Sequence, residues 1–135
     1  MRAKISAHRV QRGPDWITVE EPLDAAGALA AYGPNDVVLL DCATLWLTNV
    51  LLAEQDEVVA GVALRAAIVA SPAQVVVVSN EVGHGIVPDN ALSRQFRNAQ
   101  GRLNQMLAAD ANLVVQVIAG LPQILKGNSA DIKGC

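Results

Sequence analysis

One segment near the start of the chain, His8-Arg9-Val10-Gln11-Arg12, places a histidine beside two arginines. Nearby cations disfavour the imidazolium form, so the His8 ring should stay neutral and nucleophilic at pH 7. The guanidinium groups of Arg9 and Arg12 offer paired donors for phosphate oxygens. A histidine that attacks a phosphate needs both features. The alternative is a solvated helix face, and the segment alone leaves both interpretations open.

Two carboxylates follow apolar runs of the kind that form buried strands. Asp41 ends the run from Val37 to Leu40, and Glu81 follows the run from Val75 to Val78. In open α/β sheets ligands bind beyond the carboxyl ends of the strands, where an acidic residue can hold Mg²⁺. We therefore predict that both carboxylates lie at one edge of a sheet. The alternatives are that Asp41 caps the next helix and that Glu81 caps a turn.

The remaining candidate groups carry weaker signals. His84 stands between two glycines, and no second histidine or cysteine occurs at zinc spacing, which favours a solvent-facing ring. Arg94 and Arg97 share a face of a predicted helix that also carries Arg102. We interpret these arginines as surface or subunit-contact groups rather than catalytic ones. No G-x-x-x-x-G-K-[ST] phosphate cradle occurs in the sequence.

Length and composition bound the class of protein. A chain of 135 residues with 52% apolar residues is long enough for one domain with a core and too apolar for disorder. The net charge of −3 argues against broad contact with nucleic acid. No apolar run reaches the roughly 18 residues that a membrane span needs. The two cysteines make no disulfide framework, and no apolar signal core occurs, so we predict a reduced, cytoplasmic protein.

Strand patterns that alternate with helix patterns predict the scaffold. The predicted helices cover 1–12, 23–32, 45–53, 58–70 and about 91–109, and the predicted strands cover 16–20, 37–40, 75–78 and 113–118. Asn90 or Asp89 is expected to cap the last helix. This alternation implies βαβ units and a mostly parallel sheet with helices on both faces.

Several segments together resemble the bifunctional adenosylcobinamide kinase/adenosylcobinamide-phosphate guanylyltransferase family of cobalamin biosynthesis. The matching stretches are AKISAHRVQRGPDWITVEEP, DVVLLDCATLWLTNVL, VVVVSNEVGHGIVP, SRQFRNAQGRLNQMLA and VVQVIAGLPQILKG. The resemblance covers nearly all of residues 1–127, and residues 128–135 form an unmatched tail. It implies a single RecA-like α/β domain over 1–127, assembly as a trimer, and GTP, ATP and Mg²⁺ as ligands.

The resemblance also implies a reaction and its residues. The family phosphorylates adenosylcobinamide with a nucleoside triphosphate and then transfers GMP from GTP to adenosylcobinamide phosphate through a guanylylated histidine. By position, His8 resembles that histidine, Glu20 the acidic contact to guanine, and Asp41 the acidic residue after the second sheet strand, where it would hold Mg²⁺. The residues that match the GTP-contacting run are Arg9, Val10, Gln11 and Arg12. Glu81 stays a further candidate at the same edge as Asp41.

The sequence departs from this family at its front. The family's first strand, its P-loop and the following helix and strand would precede Met1, and the P-loop strand would lie between Val75–Val78 and Leu113–Val117. A chain without the P-loop is expected to lose the kinase reaction and most guanylyl transfer. Two other interpretations stay open: a non-catalytic nucleotide- or corrinoid-binding module, and a subunit whose sheet another chain completes. A sheet without an internal strand exposes apolar edges, which predicts an oligomeric or poorly soluble chain.

Overall fold

The computed structural model describes residues 10–128, together with residues 7 and 130. Residues 10–12 are helical and end at Gly13, as the sequence predicts. The elements then run in the order α1 (Ala25–Leu29), β1 (Val37–Asp41), α2 (Ala43–Leu52), α3 (Glu57–Ala70), β2 (Gln74–Val78), α4 (Ala91–Asp110), β3 (Val114–Ile118) and β4 (Leu121–Lys126).

Strands β1 and β2 pair in parallel, which confirms the α/β class predicted from the sequence. Their register runs from Val37 opposite Gln74 to Asp41 opposite Val78. The connection between them passes through α2 and α3, since parallel neighbours need a long crossover. The carboxyl ends of both strands therefore lie at the same edge of the sheet.

The core lies on one face of this parallel pair. Because successive side chains of a strand point to opposite faces, every second residue packs inward. The inward residues are Val38, Leu40, Val75 and Val77, which contact a helical cluster that includes Trp46, Leu47, Val50, Leu64 and Leu103. On the opposite face Val76 and Val78 stay 45% and 41% exposed. Within residues 10–128, helices thus cover one face of the sheet, whereas the sequence predicts cover on both.

Strands β3 and β4 form a second, antiparallel sheet, whereas the sequence predicts that the third strand belongs to the same mostly parallel sheet as the first two, separated from β2 by the P-loop strand. Ala119 and Gly120 connect them, with φ angles of 52° and 75°. Positive φ at both central residues is the mark of a type I′ hairpin turn. Strand β4 was not predicted because Pro122 argues against a strand. Pro122 is tolerated here because each strand of a two-stranded sheet has an open edge, where its missing N–H costs no pairing.

Two other elements differ from the sequence prediction. Residues Trp16–Glu20 form no strand, and Ile17 and Val19 are exposed. A strand needs a neighbour for its backbone groups, and no strand that the structure describes pairs with this segment. The helix predicted over 23–32 is regular only from Ala25 to Leu29. It ends in tight turns, with Ala31 N and Tyr32 N bonded to carbonyls three residues earlier.

The long helix α4 begins as the sequence predicts. The Asn90 side chain accepts a hydrogen bond from Ser93 N at 2.8 Å. Asp56 caps α3 in the same way, because its Oδ1 accepts from Val58 N at 2.9 Å and Val59 N at 3.1 Å. Both caps satisfy backbone donors that have no partner inside the helix.

An ion pair joins α3 to the end of α4. Arg65 donates through both Nε and Nη2 to the Asp110 carboxylate, with Nη2 2.9 Å from Oδ1. These hydrogen bonds from Arg65, more than the charge of Arg65 itself, hold the pKa of Asp110 below its usual value, and the same pair raises the pKa of Arg65. A depressed carboxyl pKa stabilises the folded state above the unfolded pKa of about 3.9, and this contribution disappears as pH falls through the folded pKa.

We expect Asp110→Asn to lower the melting temperature at pH 7, because Arg65 loses its charged acceptor. The gap between the variant and the wild type should begin to narrow as the pH falls below about 4 and should close as the pH falls through the lowered pKa of the folded Asp110. Thermal unfolding followed by circular dichroism at several pH values measures both effects. The control is Asp89→Asn, which removes the same charge from an exposed position. An equal gap at pH 7 and pH 3 would contradict this role of the ion pair.

Candidate functional site

The carboxyl edge of the β1–β2 sheet brings two predicted acidic residues to one side of the molecule. Asp41 is the last residue of β1 and lies opposite Val78, the last residue of β2. Glu81 follows Val78 by three residues in the loop that leaves the same edge. This placement agrees with the prediction made from the two apolar runs.

Asp41 does not cap the following helix. The N-cap of α2 is Cys42, whose Sγ accepts from Leu45 N at 3.5 Å. The Asp41 side chain is exposed, and among residues 10–128 no hydrogen bond or ion pair engages it. The carboxylate is thus directed neither at the backbone of α2 nor at a basic residue of the described chain, and it is accessible to a ligand.

Asn80 is held at the edge by both of its backbone polar groups. Its N–H donates to Thr44 Oγ1 in the first turn of α2 at 2.9 Å. Its carbonyl accepts from Asn104 Nδ2 of α4 at 3.0 Å. The loop after β2 is therefore tied to two helices that lie far apart in sequence.

A second set of hydrogen bonds holds the Asn104 side chain in place. Ser79 Oγ donates to Asn104 Oδ1 at 2.6 Å and accepts from Gln100 Nε2 at 2.8 Å. Gln100 Nε2 also donates to Asn104 Oδ1 at 2.9 Å. Gln100 is fully buried, and its Oε1 has no partner within the described chain. We call this set the edge clamp; its members are Thr44, Ser79, Asn80, Gln100 and Asn104.

Sequence reasoning missed most of the edge clamp. The available signal was the spacing of Gln100 and Asn104, which are four residues apart on a helix face that also carries buried Ala99 and Leu103. Polar residues on a buried helix face need hydrogen-bond partners.

We expect Asn104→Ala to lower the free energy of unfolding by about 1–3 kcal/mol, because it removes the acceptor of the Ser79 hydroxyl and the donor to the Asn80 carbonyl. Urea unfolding measures this loss. The matched control is Gln95→Ala on the exposed face of the same helix, which should change stability by less than about 0.5 kcal/mol. Equal effects of the two substitutions would mean that the edge clamp adds nothing to stability.

The loop after Asn80 folds back onto α4. Glu81 Oε1 accepts from Gly83 N at 2.6 Å, so this carboxylate caps a turn, which was the alternative to a ligand role. Arg97 Nη2 donates to the Gly83 carbonyl at 2.8 Å, and Arg94 Nη1 donates to the Pro88 carbonyl at 2.9 Å. These arginines hold the loop, a role that the sequence did not suggest. His84 is exposed, as predicted.

The structure places only part of the predicted N-terminal nucleotide site. His8 and Arg9 lie outside the described residues. Val10 is 82% exposed, Gln11 is exposed, and Arg12 is half-buried in the helical turn before Gly13. The structure therefore leaves the predicted roles of this segment as predictions.

Glu20 is exposed and stands just before a stretch that is anchored on α2. The Pro22 carbonyl accepts from Asn49 Nδ2 at 3.1 Å, and the Leu23 carbonyl accepts from Trp46 Nε1 at 2.9 Å. Helix α2 begins directly after Asp41 and Cys42. One helix thus connects the chain that follows Glu20 with the edge that carries Asp41.

Two cavities of about 290 Å³ each, both widely open to solvent, lie beside α4. The first adjoins the loop after β2 and is lined by polar and charged side chains, with Gly83 and Gly101. The second is mainly apolar and lies between α2 and the start of α4, lined by Thr48, Leu51, Leu52, Leu92, Ser93 and Phe96. Charged groups line only the first of these two cavities.

The described residues hold no group of three or more His, Cys, Asp or Glu side chains that would enclose a metal ion by itself. Mg²⁺ does not need such a group, because it is usually held by one or two carboxylates together with substrate phosphates. The exposed, unengaged carboxylate of Asp41 fits that mode of binding. No helix in residues 10–128 has both the length and the apolar character to cross a membrane.

Comparison with known proteins shows that the chain is similar to members of one protein family. The family model described as cobinamide kinase / cobinamide phosphate guanyltransferase matches residues 1–125. The chain is 39% identical over 130 residues to the bifunctional adenosylcobalamin biosynthesis protein CobP of Pseudomonas aeruginosa, covering 94% of this chain and 75% of that protein. It is 42% identical over 138 residues to the bifunctional adenosylcobalamin biosynthesis protein CobU of Escherichia coli, covering 90% and 76%. The CobU protein of Salmonella typhimurium is 41% identical over 141 residues.

Proposed function

The chain belongs to the cobinamide kinase / cobinamide phosphate guanyltransferase family, and we propose that, together with a P-loop segment, it carries out cobinamide phosphorylation and guanylyl transfer in adenosylcobalamin biosynthesis. In the first reaction a nucleoside triphosphate, ATP or GTP, phosphorylates the hydroxyl of adenosylcobinamide. In the second, GMP moves from GTP to adenosylcobinamide phosphate. The similarity to relatives named as bifunctional adenosylcobalamin biosynthesis proteins supports this proposal.

Guanylyl transfer proceeds through His8. A neutral ring nitrogen attacks the α-phosphorus of GTP, the bond to the β-phosphate oxygen breaks, and pyrophosphate leaves. A phosphate oxygen of adenosylcobinamide phosphate then attacks the same phosphorus, which breaks the P–N bond and restores the histidine. Arg9 and Arg12 hold phosphate oxygens and so stabilise the charge that develops at the α-phosphate.

Further residues of this chain orient the nucleotide. Glu20 accepts hydrogen bonds from the guanine N1–H and N2 amino group, for which a carboxylate is the natural acceptor. Val10 and Gln11 complete the nucleotide-contacting run. Asp41 would hold Mg²⁺, which neutralises phosphate charge when bound.

The observation that carries the proposal is the parallel β1–β2 edge, where the unengaged Asp41 carboxylate lies beside a loop held by the edge clamp. Bound nucleotides in α/β proteins lie beyond such edges. A rigid edge is what phosphoryl chemistry requires, since its catalysis depends on positioning and electrostatic stabilisation.

We extend the proposal to fold and assembly. Residues 1–127 form one RecA-like domain followed by a tail, and the protein acts in the cytoplasm as a trimer. Val76 and Val78 are exposed on one face of the parallel pair. Because parallel sheets are covered on both faces, this exposure supports the proposal that a further element packs on that face. The free thiol of Cys42 suits a reducing compartment.

Incubation with GTP labelled at the α-phosphate tests the proposal. We expect label on the protein and, after addition of adenosylcobinamide phosphate, its transfer to the corrinoid with release of pyrophosphate. The assay uses the chain joined to the N-terminal strand and P-loop segment of a family member, with the 135-residue chain alone in parallel. Saturable GTP or corrinoid binding with no label on protein or product would favour a non-catalytic binding module instead.

A further inference from the structure

We propose that the charged cavity beside the loop after β2 binds the phosphoryl group of a phosphorylated substrate, with Arg97 as its principal contact. Its polar lining comes from Arg97, Asn98, Arg102 and Gln105 of α4, together with Glu81 of the loop. The proposal rests on the proposed function only for the identity of the molecule that carries the phosphate.

No carboxylate of residues 10–128 forms an ion pair with Arg97. By contrast, Arg65 pairs with Asp110 and Arg102 pairs with Glu57. Its Nη2 donates to the Gly83 carbonyl, which engages one of five N–H donors. The residue is half-buried, and a guanidinium stays charged at any physiological pH. An anion in the cavity could accept hydrogen bonds from the remaining Arg97 N–H donors and would be attracted by the guanidinium charge.

Gly101 leaves the space that such a ligand needs. A Cβ added to Gly101 would meet no atom within 4 Å, so neither close packing nor a positive φ requires glycine there. A glycine inside a helix costs roughly 0.5–1 kcal/mol relative to alanine. Gly61 of α3 is different, because an added Cβ would lie 3.3 Å from Met106 Cε, so that close packing favours glycine at that position. Among the described residues no contact requires glycine at position 101, whereas its lack of a side chain leaves the cavity open.

The other charges at the cavity favour a phosphate over a neutral group. Arg102 contributes a second guanidinium, of which Nη2 donates to Glu57 at 2.9 Å. The Glu81 carboxylate opposes an anion, but its Oε1 already accepts from Gly83 N. Asn98 and Gln105 add neutral donors that suit phosphate oxygens. The phosphate can come from the nucleoside triphosphate or from the phosphate ester of the corrinoid, and binding measurements separate these two sources.

The test is calorimetric titration of the chain with pyrophosphate, with GTP and with adenosylcobinamide phosphate, using unphosphorylated adenosylcobinamide as the neutral reference. We expect Arg97→Met to weaken binding of the true phosphate carrier by about 10- to 100-fold and to leave the neutral reference unchanged. A loss confined to GTP assigns the cavity to the triphosphate, and a loss confined to the phosphate ester assigns it to the acceptor. Unchanged binding of all three phosphates would overturn the proposal.

Two further variants separate ligand binding from loop positioning. Arg94→Met removes the other arginine that holds the loop but does not line the cavity, so it should leave phosphate binding within about twofold. Equal losses in the Arg94 and Arg97 variants would mean that Arg97 only positions the loop, which also overturns the proposal. Gly101→Leu should weaken phosphate binding while the melting temperature stays the same or rises, because a helix prefers leucine to glycine.

Failure of the cavity proposal can be distinguished from failure of the proposed function. These titrations need no turnover, so weaker pyrophosphate binding in Arg97→Met would support the cavity even if no guanylyl transfer were observed. Conversely, normal transfer with unchanged binding and kinetics in Arg97→Met would remove the cavity proposal and leave the proposed function intact.

Discussion

His8→Ala is expected to abolish covalent labelling of the protein by α-labelled GTP. If His8 is the nucleophile, its removal leaves no group to displace pyrophosphate, and guanylyl transfer should fall on the order of 10³-fold or more. The kinase step should change little, because it transfers the terminal phosphate and does not use the histidine. The wild-type adduct should be labile in acid and stable in base, as a phosphoramidate is.

This experiment uses the chain joined to the N-terminal segment of a family member, so that both reactions are measured in one protein. The matched control is His84→Ala, which removes the exposed histidine of the loop after β2. It should label as the wild type does. Full labelling of His8→Ala would place the nucleophile elsewhere, and loss of labelling in His84→Ala alone would identify the other histidine.

Asp41→Asn should lower both nucleotide-dependent reactions by on the order of 100-fold, because the variant offers Mg²⁺ a neutral amide in place of a carboxylate. The Mg²⁺ concentration needed for half-maximal rate should rise. Stability should change by less than about 0.5 kcal/mol, since the Asp41 side chain is exposed and has no hydrogen-bond partner within residues 10–128. Steady-state rates across a Mg²⁺ titration, together with urea unfolding, measure the three quantities.

Asp36→Asn at the other end of the same strand is the control. Asp36 Oδ2 accepts from Gly33 N at 2.7 Å, and an asparagine oxygen can still accept this bond. Rates and Mg²⁺ dependence should therefore match the wild type. If Asp41→Asn lost activity with an unchanged Mg²⁺ requirement, the carboxylate would act on the substrate rather than through the metal ion.

Local patterns in the sequence predicted most elements and their limits. The apolar runs at Val37–Leu40 and Val75–Val78 are strands, and the Asn90 cap begins α4. These features depend on neighbours in sequence, such as a side chain that bonds a backbone N–H three residues later. The hairpin of β3 and β4 was missed because Pro122 argues locally against a strand, whereas an open edge tolerates it.

The sequence by itself determined the family, through motifs such as NEVGHGIVP and HRVQRGPDW, and the chemical types of its candidate residues. Only the tertiary structure decided which of them act together. Gln100 meets Ser79 and Asn104 meets Asn80 across more than 20 residues, and Arg97 meets Gly83 across 14. Such partnerships follow from how a helix packs against a strand tip, and no pattern of nearest neighbours encodes that geometry. The same packing leaves Arg97 without an ion pair to any residue from 10 to 128 and leaves Gly101 facing an open cavity.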